Sequence, residues 1–293
     1  MNKPESPAIR FHEDPALFRE AVNFTAAETA FVPRLVEKDY FCTVLLEYLA
    51  GVDDALVFKG GTCLAKVHAD FYRLSEDLDF VIPTPQAAAR SERSLRATGL
   101  KKAVAGLAHR RPSFRIVQPL TGANRSTQYS AVVGYASLLG DREETIKIEA
   151  GLRETLLTPA INGAAKTLLL DPVSGQTLIQ PFAVRCISRE EAFAEKFRAA
   201  LSRREAAIRD FFDIDYAVRR TGLRHQDARF VDLVKRKLAI PGNDPVDVSG
   251  DRLAALRRQL ETELKPLLRA NDFAGFDLER AFLTVTAMAA NLT

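Results

Sequence analysis

The 293 residues, 47% hydrophobic and 27% charged, have an ordinary globular composition and are enough for one large domain or two small ones. A net charge of +3 neither demands nor excludes a nucleic-acid partner. No apolar run reaches the ~18 residues of a membrane span, and the opening MNKPESPAIRFHEDP lacks the apolar core of a signal peptide, so a cytoplasmic protein with no membrane partner is expected.

The three cysteines, Cys42, Cys63 and Cys186, stand far apart beside apolar neighbours. They read as buried free thiols rather than as a disulfide set or a metal cluster.

Residues 1–14 are polar and proline-bearing and read as a flexible arm, with helical signals from Pro15 onward. Between 35 and 46, apolar residues at 36, 40, 41, 44 and 45 mark one stripe of a helix that Gly51 ends. Glu37 and Lys38 lie off that stripe, and both a solvated face and a functional role are open for them.

Leu56-Val57-Phe58 fits a short strand, and Gly60-Gly61 frees the next turn from Cβ atoms. Thr62 is placed to cap a following helix, whose first amides would suit a phosphate. A glycine pair alone is often only a turn. In Asp77-Leu78-Asp79-Phe80 the two aspartates alternate with apolar residues, so a strand points both carboxylates to one side. Such a pair repels unless a cation or strong donor lies between, and Mg2+ takes carboxylates together with substrate phosphates. A solvated acidic edge is the alternative, and the glycine turn upstream favours the metal.

Pro83 and Pro85 end this strand, and residues 86–108 read as helical. Arg90, Arg93, Arg96, Lys101 and Lys102, with Arg110 and Arg111 beyond, either solvate that segment or meet an RNA backbone. Strands are expected at 114–117 and 128–135 with a turn at 124–128, and residues 141–144 form a charged turn. In Thr145-Ile146-Lys147-Ile148-Glu149-Ala150 the isoleucines face inward while Thr145, Lys147 and Glu149 share the other face. Beside the aspartate strand, Glu149 would be a third carboxylate; a plain surface strand is the alternative.

Residues 151–180 read as loops with a short strand near 167–170, and 183–187 as the last core strand. Ser188 with Glu191 fits a capping box that opens a helix over 190–209. At ~100° per residue, Lys196, Arg203 and Asp210 fall within about 40° of one another, as an ion network or as a phosphate site. Further helices are expected at 228–238, 250–268 and 275–290. His12, His68, His109 and His225 are scattered; His68 reads as structural.

Taken together, Gly60-Gly61-Thr62, Ser75 with Asp77-Leu78-Asp79, Ala194-Glu195-Lys196 and Arg209-Asp210-Phe211-Phe212-Asp213 resemble the nucleotidyltransferase toxins of AbiE-type abortive-infection (type IV toxin–antitoxin) systems, AbiEii/AbiGii-like, within the DNA polymerase β-type nucleotidyltransferase superfamily. Glu37-Lys38-Asp39-Tyr40 is similar to that family's N-terminal signature, and the likeness spans roughly residues 30–220. Lys66 after the glycines and the crowded SEDLD context depart from the simplest pattern without removing a catalytic group.

The resemblance implies an α+β fold: a polymerase-β-type nucleotidyltransferase core (mixed sheet with helices) over 15–188 and a mostly helical lobe over 189–293 that contributes to the active-site cleft. It implies Mg2+, with Mn2+ as the alternative, held by Asp77 and Asp79 with Glu149 as third ligand. Gly60, Gly61, Thr62, Ser75, Lys196 and Arg203 would bind the NTP, and Asp77, Asp79, Lys196 and Asp210 would be the catalytic set. The implied reaction joins a nucleotide to an acceptor hydroxyl, the tRNA 3′ end being favoured because related toxins modify tRNA ends, with release of pyrophosphate. A cognate antitoxin and a role in phage defence are implied as well. Transfer to a protein or small molecule, and a non-catalytic nucleotide-binding scaffold, are the alternatives.

Overall fold

Asp14 starts the first helix: its Oδ1 accepts from the amides of Ala16 and Leu17, both at 3.1 Å, and Pro15 takes the first helical position, where a missing N–H costs nothing. Helix α1 (Pro15–Thr29) leads to α2 (Pro33–Val52). The computed structural model describes residues 9–292, so residues 1–8 of the expected arm lie outside the described residues. Residues Phe11–Glu13 form a short 3-10 turn. The chain divides into two units, one ending at Ile187 and the other starting at Ser188.

In the first unit, β1 (Val57–Lys59) runs into α3 (Gly60–Cys63) and a π-helical turn (Leu64–His68), followed by β2 (Leu78–Val81). Helices α4 (Arg90–Arg96) and α5 (Thr98–Arg110) replace the single helix expected over 86–108. Then come β3 (Phe114–Ala123), β4 (Gln128–Ala136), β5 (Glu143–Gly151), β6 (Ile161–Ala165) and β7 (Phe182–Cys186). Among the described residues seven strands form one mixed sheet, ordered β3-β4-β5-β2-β1-β7-β6. The β2–β5 and β1–β7 pairs are parallel and the others antiparallel.

The alternation expected in β5 is present, with Ile146, Ile148 and Ala150 buried and Thr145 and Lys147 exposed. The charged turn expected at 141–144 is shorter, because Glu143 and Glu144 already belong to β5. The strand expected near 167–170 reduces to a single bridge from Leu170 to Thr177, and β6 lies earlier.

Helix α2 differs most from the expected amphipathic stripe, since every residue from 35 to 46 is buried. Glu37 and Lys38 are therefore not a solvated face. Glu37 accepts from Ser137 Oγ at 2.7 Å and from the amide of Leu138 at 2.6 Å, while Lys38 reaches Glu76 at 2.7 Å. Charges enter a core only when paired, and these are paired by later segments that no local pattern reveals.

The second unit contains α6 (Arg189–Ser202), α7 (Ile208–Arg220), α8 (Ala228–Leu238), α9 (Gly250–Gln259), α10 (Ala270–Ala274) and α11 (Leu278–Asn291). Ser188 caps α6, its hydroxyl accepting from the Glu191 amide at 3.2 Å. The helix expected to run through 209 stops at Ser202, and α7 begins after a break at 203–207. Phe211 of α7 stacks on Phe282 of α11 with ring centroids 6.0 Å apart, and Phe193 and Phe197 of α6 are wholly buried. An α+β core with a seven-stranded sheet followed by a helical lobe is thus the observed fold. Among the described residues no helix is long and apolar enough to cross a membrane.

Candidate active site

Strand β2 lies between β1 and β5, and Asp79 is in register with Lys59 on one side and Glu149 on the other. Paired residues in a sheet share a face, so Lys59, Asp79 and Glu149 form a row across three strands. Strand β2 begins at Leu78, which leaves Asp77 just outside it rather than within the strand as expected. Asp77, Asp79 and Glu149 are all half-buried.

Lys147 lies two residues before Glu149 on the same face and bonds it at 2.9 Å. That hydrogen bond is the main reason its ammonium titrates above the ordinary value, against some desolvation, with the charges of Asp77 and Asp79 adding to it. One lysine thus senses three carboxylates. Glu149 also accepts from Gln128 Nε2 at 3.0 Å.

The glycine turn closes on this row. Gly60 has φ of +79°, and a Cβ there would lie 2.2 Å from Asp79 Oδ2. A Cβ on Gly61 would lie 2.7 Å from Arg73 Nη2 and 2.9 Å from Ser75 Oγ. Thr62 does not cap α3; it lies inside the helix, and its hydroxyl donates to the Asp77 carbonyl at 2.5 Å. The turn, Ser75, Asp77, Asp79 and Glu149 therefore belong to one cluster. The first amides of α3 lack intrahelical partners by helix geometry, as a phosphate-binding turn requires.

A buried layer from α2 holds the cluster from behind. Glu76, between Ser75 and Asp77, takes Arg34 Nη2 and Lys38 Nζ at 2.7 Å each. Burial acts to raise its pKa, but Lys38 and Arg34 outweigh it and hold the carboxyl below its usual range. Lys66, fully buried, donates to Asp39 Oδ1 at 2.6 Å and Thr43 Oγ1 at 2.7 Å, and Asp39 Oδ2 accepts from the Leu168 amide at 3.1 Å. Sequence reasoning missed Arg34, Asp39, Lys66, Arg73 and Glu76 as supports. The signal for part of this set was the charged run 37–39 inside an apolar helix.

In the second unit, Lys196 bonds Asp210 Oδ1 and Asp213 Oδ2, each at 2.8 Å, and Arg203 reaches Asp210 Oδ2 at 3.3 Å. The expected proximity of Lys196, Arg203 and Asp210 is present, but α7 folding back on α6 produces it, not one helical face. Asp213, fully buried, was not expected in this group.

The thiols are free and buried as expected, yet two of them are not isolated. Cys63, His68 and Cys186 place their ligand atoms within 4.8 Å of one another. The hydrogen bond from Cys63 draws the Cys186 thiol down, while burial pushes Cys63 up. Elsewhere in this unit a cavity of about 1020 Å³, lined by Phe11, Leu17, Phe18, Val173, Ile179 and Phe182 among others, includes none of Asp77, Asp79 and Glu149.

A family model described as the nucleotidyl transferase AbiEii toxin of type IV TA systems matches residues 44–282, a span that holds the glycine turn, the carboxylates and the Lys196 group and begins after Tyr40. Among solved structures the chain is similar to JHP933 from Helicobacter pylori, with 17% identity and a TM-score of 0.53 over 89% of this chain and 93% of that one. It is also similar to MenT4, a nucleotidyltransferase toxin from Mycobacterium tuberculosis H37Rv, with 19% identity and a TM-score of 0.52 over 94% of this chain and 98% of that one. Identities this low speak for the fold. No curated protein matches.

Proposed function

The chain belongs to the nucleotidyl transferase AbiEii toxin family of type IV toxin–antitoxin systems, and from that premise we propose that it transfers a nucleotide from an NTP to the 3′-terminal hydroxyl of a tRNA in the presence of Mg2+. Membership makes it an NTP-dependent nucleotidyltransferase, implies a divalent metal, and places it beside an antitoxin. The tRNA acceptor rests on the family resemblance.

The observation that carries the reading is Asp79, in register with Glu149 and packed against a glycine whose Cβ would strike its carboxylate. Half-buried carboxylates converging beside a Cβ-free turn are the hard oxygen donors that Mg2+ prefers. Asp77 and Asp79 would hold the ion with Glu149 as third ligand. Mg2+ held there supplies Lewis-acid stabilisation of negative charge on the triphosphate.

Gly60 and Gly61 let the backbone approach the phosphates, and the hydroxyls of Thr62 and Ser75 lie beside that turn. Lys196 and Arg203 are assigned to the nucleotide phosphates. Asp210, bonded to both, is assigned as the positioning residue of the catalytic set, which fixes their orientation. The acceptor oxygen bonds to the α-phosphorus as the bond to pyrophosphate breaks, and the acceptor hydroxyl gives up its proton to solvent.

The test is incubation of the full chain with each labelled NTP, Mg2+ and total cellular RNA. Label at tRNA 3′ ends is the expected result. Label on a protein or small molecule would replace the acceptor while keeping the chemistry, and no label from any NTP would favour a non-catalytic scaffold.

A further inference from the structure

Cys63 and His68 meet because the helix between them is not α-helical. Residues five apart in an α-helix diverge by about 140°. Here Leu64–His68 is a π-helical turn, closed by the Ala69 amide on the Leu64 carbonyl at 2.8 Å, and a turn of that kind brings positions i and i+5 to the same side. Cys186 joins them from β7, whose parallel pairing sets it level with Phe58 in β1, just before the glycine turn. The three ligand atoms lie within 4.8 Å of one another.

The surroundings are those of a ligand set. His68 Nε2 lies 3.0 Å from the Ile187 carbonyl. A carbonyl accepts only from N–H, so neutral His68 carries its proton on Nε2 and its lone pair on Nδ1. Metal-binding histidines are oriented in the same way, by a backbone carbonyl on the other nitrogen. A Cβ on Gly163 would run into the Val67 side chain and lie 2.9 Å from Cys186 Sγ, so the close approach of β6 to this corner suits a glycine. Both thiols are buried and His68 is half-buried.

We propose that Cys63 Sγ, Cys186 Sγ and His68 Nδ1 form a binding site for Zn2+. Two sulfurs and one imidazole nitrogen are donors that Zn2+ takes, with a fourth position left for water. Zn–S and Zn–N bonds of ~2.3 and ~2.1 Å in a tetrahedron set the ligand atoms about 3.6–3.8 Å apart, inside the 4.8 Å that bounds the observed cluster. Binding releases the thiol protons as two thiolates form. The site is chemically distinct from the carboxylate row, whose oxygen donors suit a hard cation. An ion here would tie Cys63, two residues after Gly61, to β7 and so brace the glycine turn.

The test uses the full-length chain, reduced, stripped with chelator and dialysed against Zn2+, with metal counted by mass spectrometry and Co2+ as a spectroscopic substitute. Wild type is expected to keep one Zn2+ per chain and to show a thiolate-to-Co2+ charge-transfer band. Asp79→Asn should keep both signals, which separates this site from the carboxylates. Cys186→Ala and His68→Gln should weaken Zn2+ binding by more than about 100-fold, the upper range for loss of a mere outer-shell partner. His68 is half-buried, so His68→Gln serves where Cys186→Ala does not fold, with circular dichroism confirming the fold of each. Absence of Zn2+ uptake by the reduced wild type, equal uptake by folded His68→Gln, or a Co2+ complex without a thiolate band would each overturn the site.

Discussion

The carboxylate of Asp79 occupies the space that a side chain on Gly60 would need: a Cβ there would lie 2.2 Å from Oδ2 and 2.9 Å from the Asp79 Cβ. Gly60 also has φ of +79°, in the left-handed region. Gly60→Ala therefore carries about 1–3 kcal/mol of backbone strain and pushes Asp79 out of line. A displacement of ~1 Å at a reacting centre costs about 100-fold in rate. Single-turnover transfer at saturating NTP and Mg2+ should fall by that order while the protein still melts cooperatively; unchanged transfer would mean that the turn does not position the carboxylate.

Asp79 and Glu149 face each other across β2 and β5, but they are not equivalent. Glu149 already binds Lys147 and Gln128. Asp79→Asn should remove transfer by about 1,000-fold, in keeping with the several kcal/mol that a bound metal contributes. Glu149→Gln, as loss of a third ligand, should raise the Mg2+ concentration for half-maximal rate about tenfold, with most of the rate recovered at high Mg2+. A Mg2+ titration identical to wild type in Glu149→Gln would remove Glu149 from the ligand set.

The difference between what was and was not legible in the chain follows from range. Strand β5 and the outward face of Glu149 could be read because side chains alternate with a period of two. The pairing of β5 with β2 could not, since some 70 positions separate Asp79 from Glu149 and nothing local encodes their register. Lys196 and Asp210 were expected together for a helical spacing that the chain does not keep. The break at 203–207 and the return of α7 restore the contact by another route. For Glu37 and Lys38 the choice between solvent and a functional role stayed open because their partners Ser137 and Glu76 come from elsewhere in the chain. The π-turn that unites Cys63 with His68 has no sequence signature at all, so His68 was read as structural.

Lys196 sits between two carboxylates, and Asp213 is wholly shielded. Lys196→Ala leaves them without their shared cation, and breaking a buried pair from one side costs about 3–5 kcal/mol. Loss of transfer in that variant would not separate chemistry from folding. Lys196→Arg keeps the charge and alters the geometry toward phosphate. It should melt within a few degrees of wild type yet transfer at least about tenfold more slowly at subsaturating NTP, through a raised KM. Wild-type KM and kcat in Lys196→Arg, beside a strongly destabilised Lys196→Ala, would identify Lys196 as a structural ion pair alone.

His12 links stability to pH at the start of the chain. The Tyr40 oxygen accepts the His12 amide at 3.1 Å, and its hydroxyl lies 2.7 Å from His12 Nδ1. In the neutral tautomer with Nδ1 unprotonated, the Tyr40 O–H donates to Nδ1. Burial is the main cause holding the imidazole below its ordinary value of 6.5, opposed by Glu13 and aided by Arg10. The unfolded chain therefore binds the proton more readily than the folded one, and stability rises with pH across the interval between the two values. The contribution is complete above 6.5 and is lost as pH falls through the lower folded value. It is worth no more than about 1 kcal/mol, the net value of one hydrogen bond. Melting temperature followed from neutral to mildly acidic pH should fall more steeply in wild type than in His12→Ala, which starts lower and lacks the group that titrates. Parallel curves for the two proteins would show that His12 stays neutral for no energetic gain.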